Sequence, residues 1–277
     1  MRAPAFLSGS PVRIALGLEY DGAAFCGWQT QPGGCGVQDA LEQALSGVAG
    51  EKIETACAGR TDAGVHAIAQ VAHFDTDVDR PLSAWTRGTN ALLAQSIAVT
   101  WARVVDKEFH ARFSATGRRY VYWLLSRPHR PGLLSGRAGW THRVLDEVAM
   151  REAARCLTGQ HDFSAFRAAE CQAKTPVKVM REVLIARRGD LIRFEFAADA
   201  FLQHMVRNIV GSLVYVGSGR QPVTWIRDLL ESRDRTRAAP TFSPAGLYLA
   251  AVEYDAVWGI PTAPDAARIE DTVLAAC

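Results

Sequence analysis

Residues 52–77 read KIETACAGRTDAGVHAIAQVAHFDTD. Apolar residues crowd KIETACA (52–58) and AIAQVAHFDTD (67–77), and both runs read as strands. The short loop between them gathers Arg60, Thr61, Asp62 and His66. Asp is common in tight turns, where its carboxylate accepts backbone N–H groups and a neighbouring Gly supplies positive φ. Short loops on rigid strands are also where chemistry is placed. On these residues alone both readings of Asp62 stay open.

Working outward, VRIALGLEYDG (12–22) alternates like a strand and VQDALEQALSGVAG (37–50) has helical spacing. PLSAWTRGTNALLA (81–94) reads as a helix with Pro at its start, and SIAVTWARVV (96–105) as a strand. In the second half RRYVYWLLS (118–126) is a strand, DEVAMREAARCLTG (146–159) a helix, and VKVMREVLIARRG with LIRFEFAAD a hairpin. FLQHMVRNIVGSLVYVG (201–217) and VTWIRDLLESR (223–233) read as helices, and GLYLAAVEY (246–254) as a closing strand. Each half therefore runs strand, helix, two strands, helix, strand. This is the α+β split-βαβ order, with helices gathered on one face of a largely antiparallel sheet. Two such sheets edge to edge would form a broad platform with a cleft lined by loops of both halves.

The 277 residues are 48% hydrophobic and 22% charged, as in a soluble globular protein. No apolar run approaches the roughly eighteen residues of a membrane span, and MRAPAFLSGSPVR lacks a signal-peptide core, so a cytoplasmic protein without membrane partners is expected. The six cysteines form no C-x-x-C pair, and reduced thiols are expected rather than a zinc site or a disulfide framework. His66 and His73 stand seven apart, a poor ligand spacing, and no metal is expected.

Net charge is only +2, yet from Arg103 to Arg143 nine Lys or Arg stand against two acids. Phe109, Phe113, Tyr120, Tyr122 and Trp123 interleave with these cations. Cations neutralise phosphates and aromatic faces stack on unpaired bases, so the window suits single-stranded or loop RNA. A solvated strand face with its aromatics in the core is the alternative. A second window, Arg167 to Arg193, has seven cations against three acids, and the pair of windows suggests an extended polyanion. Arg207 is the other singular position. It lies among Phe201, Leu202, Met205, Val206, Ile209, Val210, Leu213 and Val214, and an unpaired guanidinium there would cost several kcal/mol. It should face a carboxylate, either in a structural ion pair or with Asp62 as partner.

GRTDAGVHA, FHARFSATGRRYVYWL, GQHDFSAF, FLQHMVRNIVGSLVYVG and AGLYLAAVEY, in this order and spacing, resemble the tRNA pseudouridine synthase A family from about Val12 to Tyr254. The resemblance implies two ferredoxin-like (RRM-like) halves joined in one sheet with a central RNA-binding cleft. It places the N-terminal half at 12–112 and the C-terminal half at 113–254, between a tail at 1–11 and an extension at 255–277 whose role it does not explain. It implies a homodimer that binds tRNA across both subunits and isomerises uridines 38, 39 and 40 of the anticodon stem-loop without a cofactor. Asp62 matches the family's essential aspartate, Arg60 an arginine that helps extrude the target base, and Tyr120 the tyrosine that stacks on it. Arg207 matches the arginine paired with the aspartate, and Leu247 an apolar residue near the uracil. The sequence departs from the usual pattern at Gln203, where histidine is frequent, at Ala69, where glycine is common, and at Ala94, where proline often follows the helix.

Pseudouridine formation breaks the N1–C1′ bond, turns the uracil and rejoins it through C5, with no net redox change. One carboxylate beside the ribose could attack C1′, take a proton from C2′ or add at C6. A non-catalytic RRM-like RNA-binding protein would leave Arg207 without a purpose. A hydrolytic N-glycosidase would call for a second acid or a metal beside Asp62.

Overall fold

A computed structural model describes residues 11–261, in which ten strands form one mixed sheet and five α-helices accompany it. The strands are β1 (Val12–Tyr20), β2 (Ala56–Cys57), β3 (His66–Thr76), β4 (Ile97–Val105), β5 (Ala115–Ser126), β6 (Gly139–Thr141), β7 (Gly159–Asp162), β8 (Val177–Arg188), β9 (Leu191–Ala198) and β10 (Leu247–Tyr254). The helices are α1 (Val37–Ala49), α2 (Thr89–Leu92), α3 (Glu147–Ala154), α4 (Met205–Gly217) and α5 (Trp225–Ser232). The order across the sheet is β4-β1-β3-β10-β5-β9-β8-β7, with β2 beside β3 and β6 beside β5. Most neighbours are antiparallel. Where strands of the first and second halves meet, β10 runs parallel to β3, with Tyr248 opposite His66 and Leu249 opposite Ala67.

The alternation along β5 explains how this central strand is buried on both faces. Tyr120, Tyr122 and Leu124 enter the main core with the helices, while Val121, Trp123 and Leu125 pack on the other side against Leu134, Leu191 and Tyr248. Helix α1 buries Val37, Leu41, Ala44, Leu45 and Ala49, a stripe of helical period. Asp39 secures its start by accepting from the Gly36 N–H at 2.9 Å, and Gly50 ends it at φ 77.

Several elements differ from the sequence expectation. The helix expected from residue 201 starts at Met205, because His204 adopts φ 62 and ψ 0 and the chain cannot be helical through it. The segment 81–94 divides into a π-helical stretch, Ala84–Gly88, and the short α2. Helix α3 ends early, and Gly159–Asp162 becomes the edge strand β7. The expectation of unlinked cysteines fails at Cys26 and Cys35, which form a disulfide. The chain between them folds back so that the Cys26 N–H donates to the Cys35 carbonyl at 2.9 Å and the Cα atoms lie 5.4 Å apart, a proximity that spacing alone does not reveal. The extension begins with ordered packing: the Trp258 ring meets Phe109 at 5.6 Å and Arg103 donates to the Gly259 carbonyl at 2.8 Å. The tail at 1–10 and the rest of the extension lie outside the described residues.

His73, on β3, gives the fold a pH dependence. Burial first, then Arg13 and His110, pull its pKa down to about 4, against the opposing pull of Asp75. Above the ordinary value of 6.5 the ring is neutral whether the chain is folded or not. As pH falls from 6.5 to 4, the unfolded chain takes up a proton that the folded chain refuses, so stability declines across that window and levels off below it. The loss should reach about 2 kcal/mol, discounted for the hydration the ring retains. Urea midpoints at pH 7 and 4.5 should draw closer together in His73→Gln, which can still accept from the Ala111 N–H. Equal pH dependence of variant and wild type would remove His73 from this linkage.

Candidate active site

The loop that joins β2 to β3 is pinned at three carbonyls. The Trp28 N–H donates to the Thr61 carbonyl at 3.0 Å, Gln70 Nε2 to the Gly59 carbonyl at 2.6 Å, and Arg118 Nη2 to the Ala58 carbonyl at 2.9 Å. The Thr61 hydroxyl shares a hydrogen bond with the Tyr20 hydroxyl at 2.9 Å. Gly27 lies so close that a Cβ there would stand 2.9 Å from the Thr61 carbonyl oxygen, and its φ of 99 also requires glycine. The backbone around Asp62 is thus fixed from outside the loop.

The Asp62 side chain points toward α4. Arg207 Nη1 donates to Asp62 Oδ2 at 2.8 Å and Arg207 Nε to the Phe242 carbonyl at 2.9 Å. The carboxylate predicted for Arg207 is therefore the one in the loop. His204 Nε2 stands 3.5 Å from the same oxygen. His204 stands three residues before Arg207, and that i, i+3 spacing is its signal in the sequence although His204 itself precedes α4. Gln70 belongs here too; its signal in the sequence is a polar side chain inside the apolar run AIAQVAHF, and the structure buries it fully.

Tyr120 completes the cluster. Its hydroxyl lies 3.9 Å from where a Cβ of Gly59 would stand, and its ring meets Phe201 edge-on at 5.0 Å. Burial first, and the Asp62 carboxylate second, push the phenol well above its ordinary range. Burial likewise pushes the nearby Cys57 thiol up to about 12 despite Arg60, so Cys57 is no nucleophile at neutral pH. The remaining expected residues lie further out. Arg60 is exposed at the rim of the loop, with no hydrogen bond or ion pair to Asp62 among the described residues. Leu247 is buried in the main core at the start of β10, opposite Tyr122.

The basic windows are only partly available to an outside anion. Arg119 pairs with Glu195 and, at 2.5 Å, with Glu182, while Arg181 pairs with Glu253 at 2.8 Å. Of the five aromatic residues named in the first window, Phe109, Tyr120, Tyr122 and Trp123 are buried, and Phe113 is 76% exposed with the Arg112 guanidinium 5.8 Å from its ring. Here the core reading prevails for four rings out of five. Among the described residues no cluster of three or more His, Cys, Asp or Glu could hold a metal ion, and no helix is long and apolar enough to cross a membrane.

A family profile described as tRNA pseudouridine synthase matches residues 18–114 and 153–255, which include the loop, α4 and β10 but not β5 with Tyr120. The chain belongs to this family. Curated relatives named tRNA pseudouridine synthase A include one from Thiobacillus denitrificans, 58% identical over 250 residues that cover 90% of this chain and 96% of the relative. Those from Dechloromonas aromatica and Methylobacillus flagellatus are 58% and 56% identical, over 92% and 90% of this chain and 97% and 96% of their own. Among solved structures, a chain of the crystallised Cbf5-Nop10-Gar1 complex covers 81% of this chain and 60% of its own at 12% identity, with a TM-score of 0.34, a likeness too weak to argue from.

Because Arg207 is 13% exposed and Asp62 24%, removing one partner strands a charge in a partly dry site. Arg207→Ala should lower unfolding free energy by about 2 kcal/mol, less than a fully buried pair would lose. Arg207→Lys should lose about 1 kcal/mol, since one ammonium cannot also serve the Phe242 carbonyl in that geometry. Urea midpoints at constant m-value measure both. A wild-type midpoint for Arg207→Ala would show that the pair does not hold α4 to the loop.

Proposed function

We propose that Asp62 is the carboxylate through which this tRNA pseudouridine synthase, an isomerase by family, converts uridines of the anticodon stem-loop, at positions 38, 39 and 40. The observation that carries the reading is the 2.8 Å ion pair by which Arg207 aims Asp62 Oδ2 from a buried helix. A carboxylate that merely shaped a turn would accept N–H groups of its own loop; this one accepts a guanidinium from a residue 145 positions away.

In this reading the target nucleotide leaves the stack, at a cost of a few kcal/mol, and its base lies against Tyr120. Arg60, exposed at the rim, occupies the space the base vacates, and Leu247 closes the apolar side. The raised phenol of Tyr120 suits stacking rather than proton exchange. The two halves, 12–112 and 113–254, are ferredoxin-like units, and the chain acts in the cytoplasm as a homodimer that spans one tRNA. The bond changes need no cofactor or metal, because the base that leaves C1′ is the base that returns.

Unmodified tRNA carrying tritium at uridine C5 tests the assignment, since replacing C5–H by the C5–C1′ bond releases the label to water. Asp62→Asn should release none while it still folds, at a lower unfolding free energy, and binds tRNA, because the amide fills the same space and its oxygen can still accept from Arg207 but is a poor nucleophile and base. Release near the wild-type rate would exclude Asp62 from the chemistry. Tyr120→Phe should bind the stem-loop like wild type, whereas Tyr120→Ala should lose about 1 to 3 kcal/mol of affinity. An unaffected Ala variant would remove Tyr120 from the site.

A further inference from the structure

His204 is a strained residue beside the candidate carboxylate. Its φ of 62 and ψ of 0 lie in the left-handed region, which histidine visits more readily than most side chains but still at a cost. The turn that holds it there is fixed by the Met205 N–H donating to the Leu202 carbonyl at 3.1 Å and the Asn208 N–H to the His204 carbonyl at 2.9 Å. The conformation brings Nε2 to 3.5 Å from Asp62 Oδ2, and the side chain remains 28% exposed, open to exchange with water.

The isomerisation ends in a proton problem. Cleavage of N1–C1′ leaves the bonding pair on N1. When C5 bonds to C1′, C5 carries both its hydrogen and the sugar, and N1 is doubly bonded to C6. To finish, the C5–H bond breaks, its electron pair forms C5=C6, the N1=C6 pair returns to N1, and N1 takes a proton. One proton leaves and one arrives, with no change in electrons. The group that serves this step must both accept and donate near neutral pH. Arg207 cannot release a proton. Tyr120 and Cys57 hold theirs, because burial raises both. Asp62 is engaged with the sugar or the base. An imidazole both accepts and donates in this range.

We infer that His204 is the proton carrier of the last step, taking the C5 proton at Nε2 and returning one to N1. The inference rests on Asp62 marking the reaction centre. The Nε2 atom must be unprotonated when it accepts, and the proton it takes reaches water through the exposed side of the ring.

His204→Gly tests it, because glycine adopts this backbone conformation freely and the start of α4 is retained. With C5-protiated and C5-deuterated tRNA under single turnover, the variant should form pseudouridine about 10²-fold more slowly than wild type. Its deuterium isotope effect should rise, since loss of the C5 hydrogen has become limiting, and added imidazole should restore part of the rate. A slow variant with an unchanged isotope effect and no rescue, or a variant at the wild-type rate, would overturn the inference. If His204→Gly does not fold, His204→Asn, which also tolerates the left-handed region, decides by the same isotope effect. An active Asp62→Asn would strike the underlying site assignment instead, and is read in a separate protein.

Discussion

A guanidinium embedded in an apolar helix has to meet a negative charge, and the structure around α4 follows from that requirement. Arg207 is flanked by fully buried Ile209 and Val210 and by Val206 at 3% exposure, so leaving it unpaired would cost several kcal/mol. Its partner lies in the other half of the chain. The halves must therefore join so that the loop before β3 reaches the start of α4, and the parallel pairing of β3 with β10 achieves this. Asp62 lies just ahead of β3, while Phe242, whose carbonyl takes the Arg207 Nε–H, lies just ahead of β10. Ion pair and strand junction express one constraint, met by side chains in one place and by backbone in the other.

The loop holds its charge in a fixed place because its backbone is anchored from outside. Carbonyls of Ala58, Gly59 and Thr61 are all taken by donors from other elements, and Gly27 and Gly64 permit the close approach that this needs. At Gly64 a Cβ would meet the Pro244 ring at 2.9 Å, so the segment leading to β10 presses on the loop as well. A carboxylate held in this way needs little reorganisation when a charged or polar group develops beside it.

The strand after Asp62, helix α1, the hairpin of β8 and β9 and the need for an acid opposite Arg207 are legible in the sequence, because each is written in local periodicity or in the cost of one buried charge, whereas the strand expected at 52–58 shrinks to Ala56–Cys57. The parallel junction was not legible, since nothing local in GLYLAAVEY distinguishes a parallel neighbour from an antiparallel one. The start of α4 was misread because FLQH is apolar enough to continue the helix, and only the tertiary setting turns His204 left-handed. The aromatic run of the basic window misled for a related reason: Tyr120, Tyr122 and Trp123 alternate across a strand that is covered on both faces, so composition suggested exposed stacking platforms where most rings are core. The cations were overcounted in the same way, because Arg119 and Arg181 face acids brought in by β8, β9 and β10.

The surroundings of Asp62 favour rearrangement of a base over its loss. A hydrolase acting at C1′ needs a group to activate water, or a second acid to protonate the leaving base. The side chains around Asp62 are a guanidinium, an imidazole and a buried phenol, and no second carboxylate approaches it among the described residues. Such a site can stabilise charge at the sugar and move one proton, and among the described residues it has no second carboxylate beside the first. Tyr120 and Phe201, packed edge to face, instead offer an apolar wall against which a detached uracil could turn without escaping. On the proposed role of Asp62, retention of the base by that wall, together with a single oriented carboxylate, would be the physical condition under which bond cleavage leads back to the same sugar through C5.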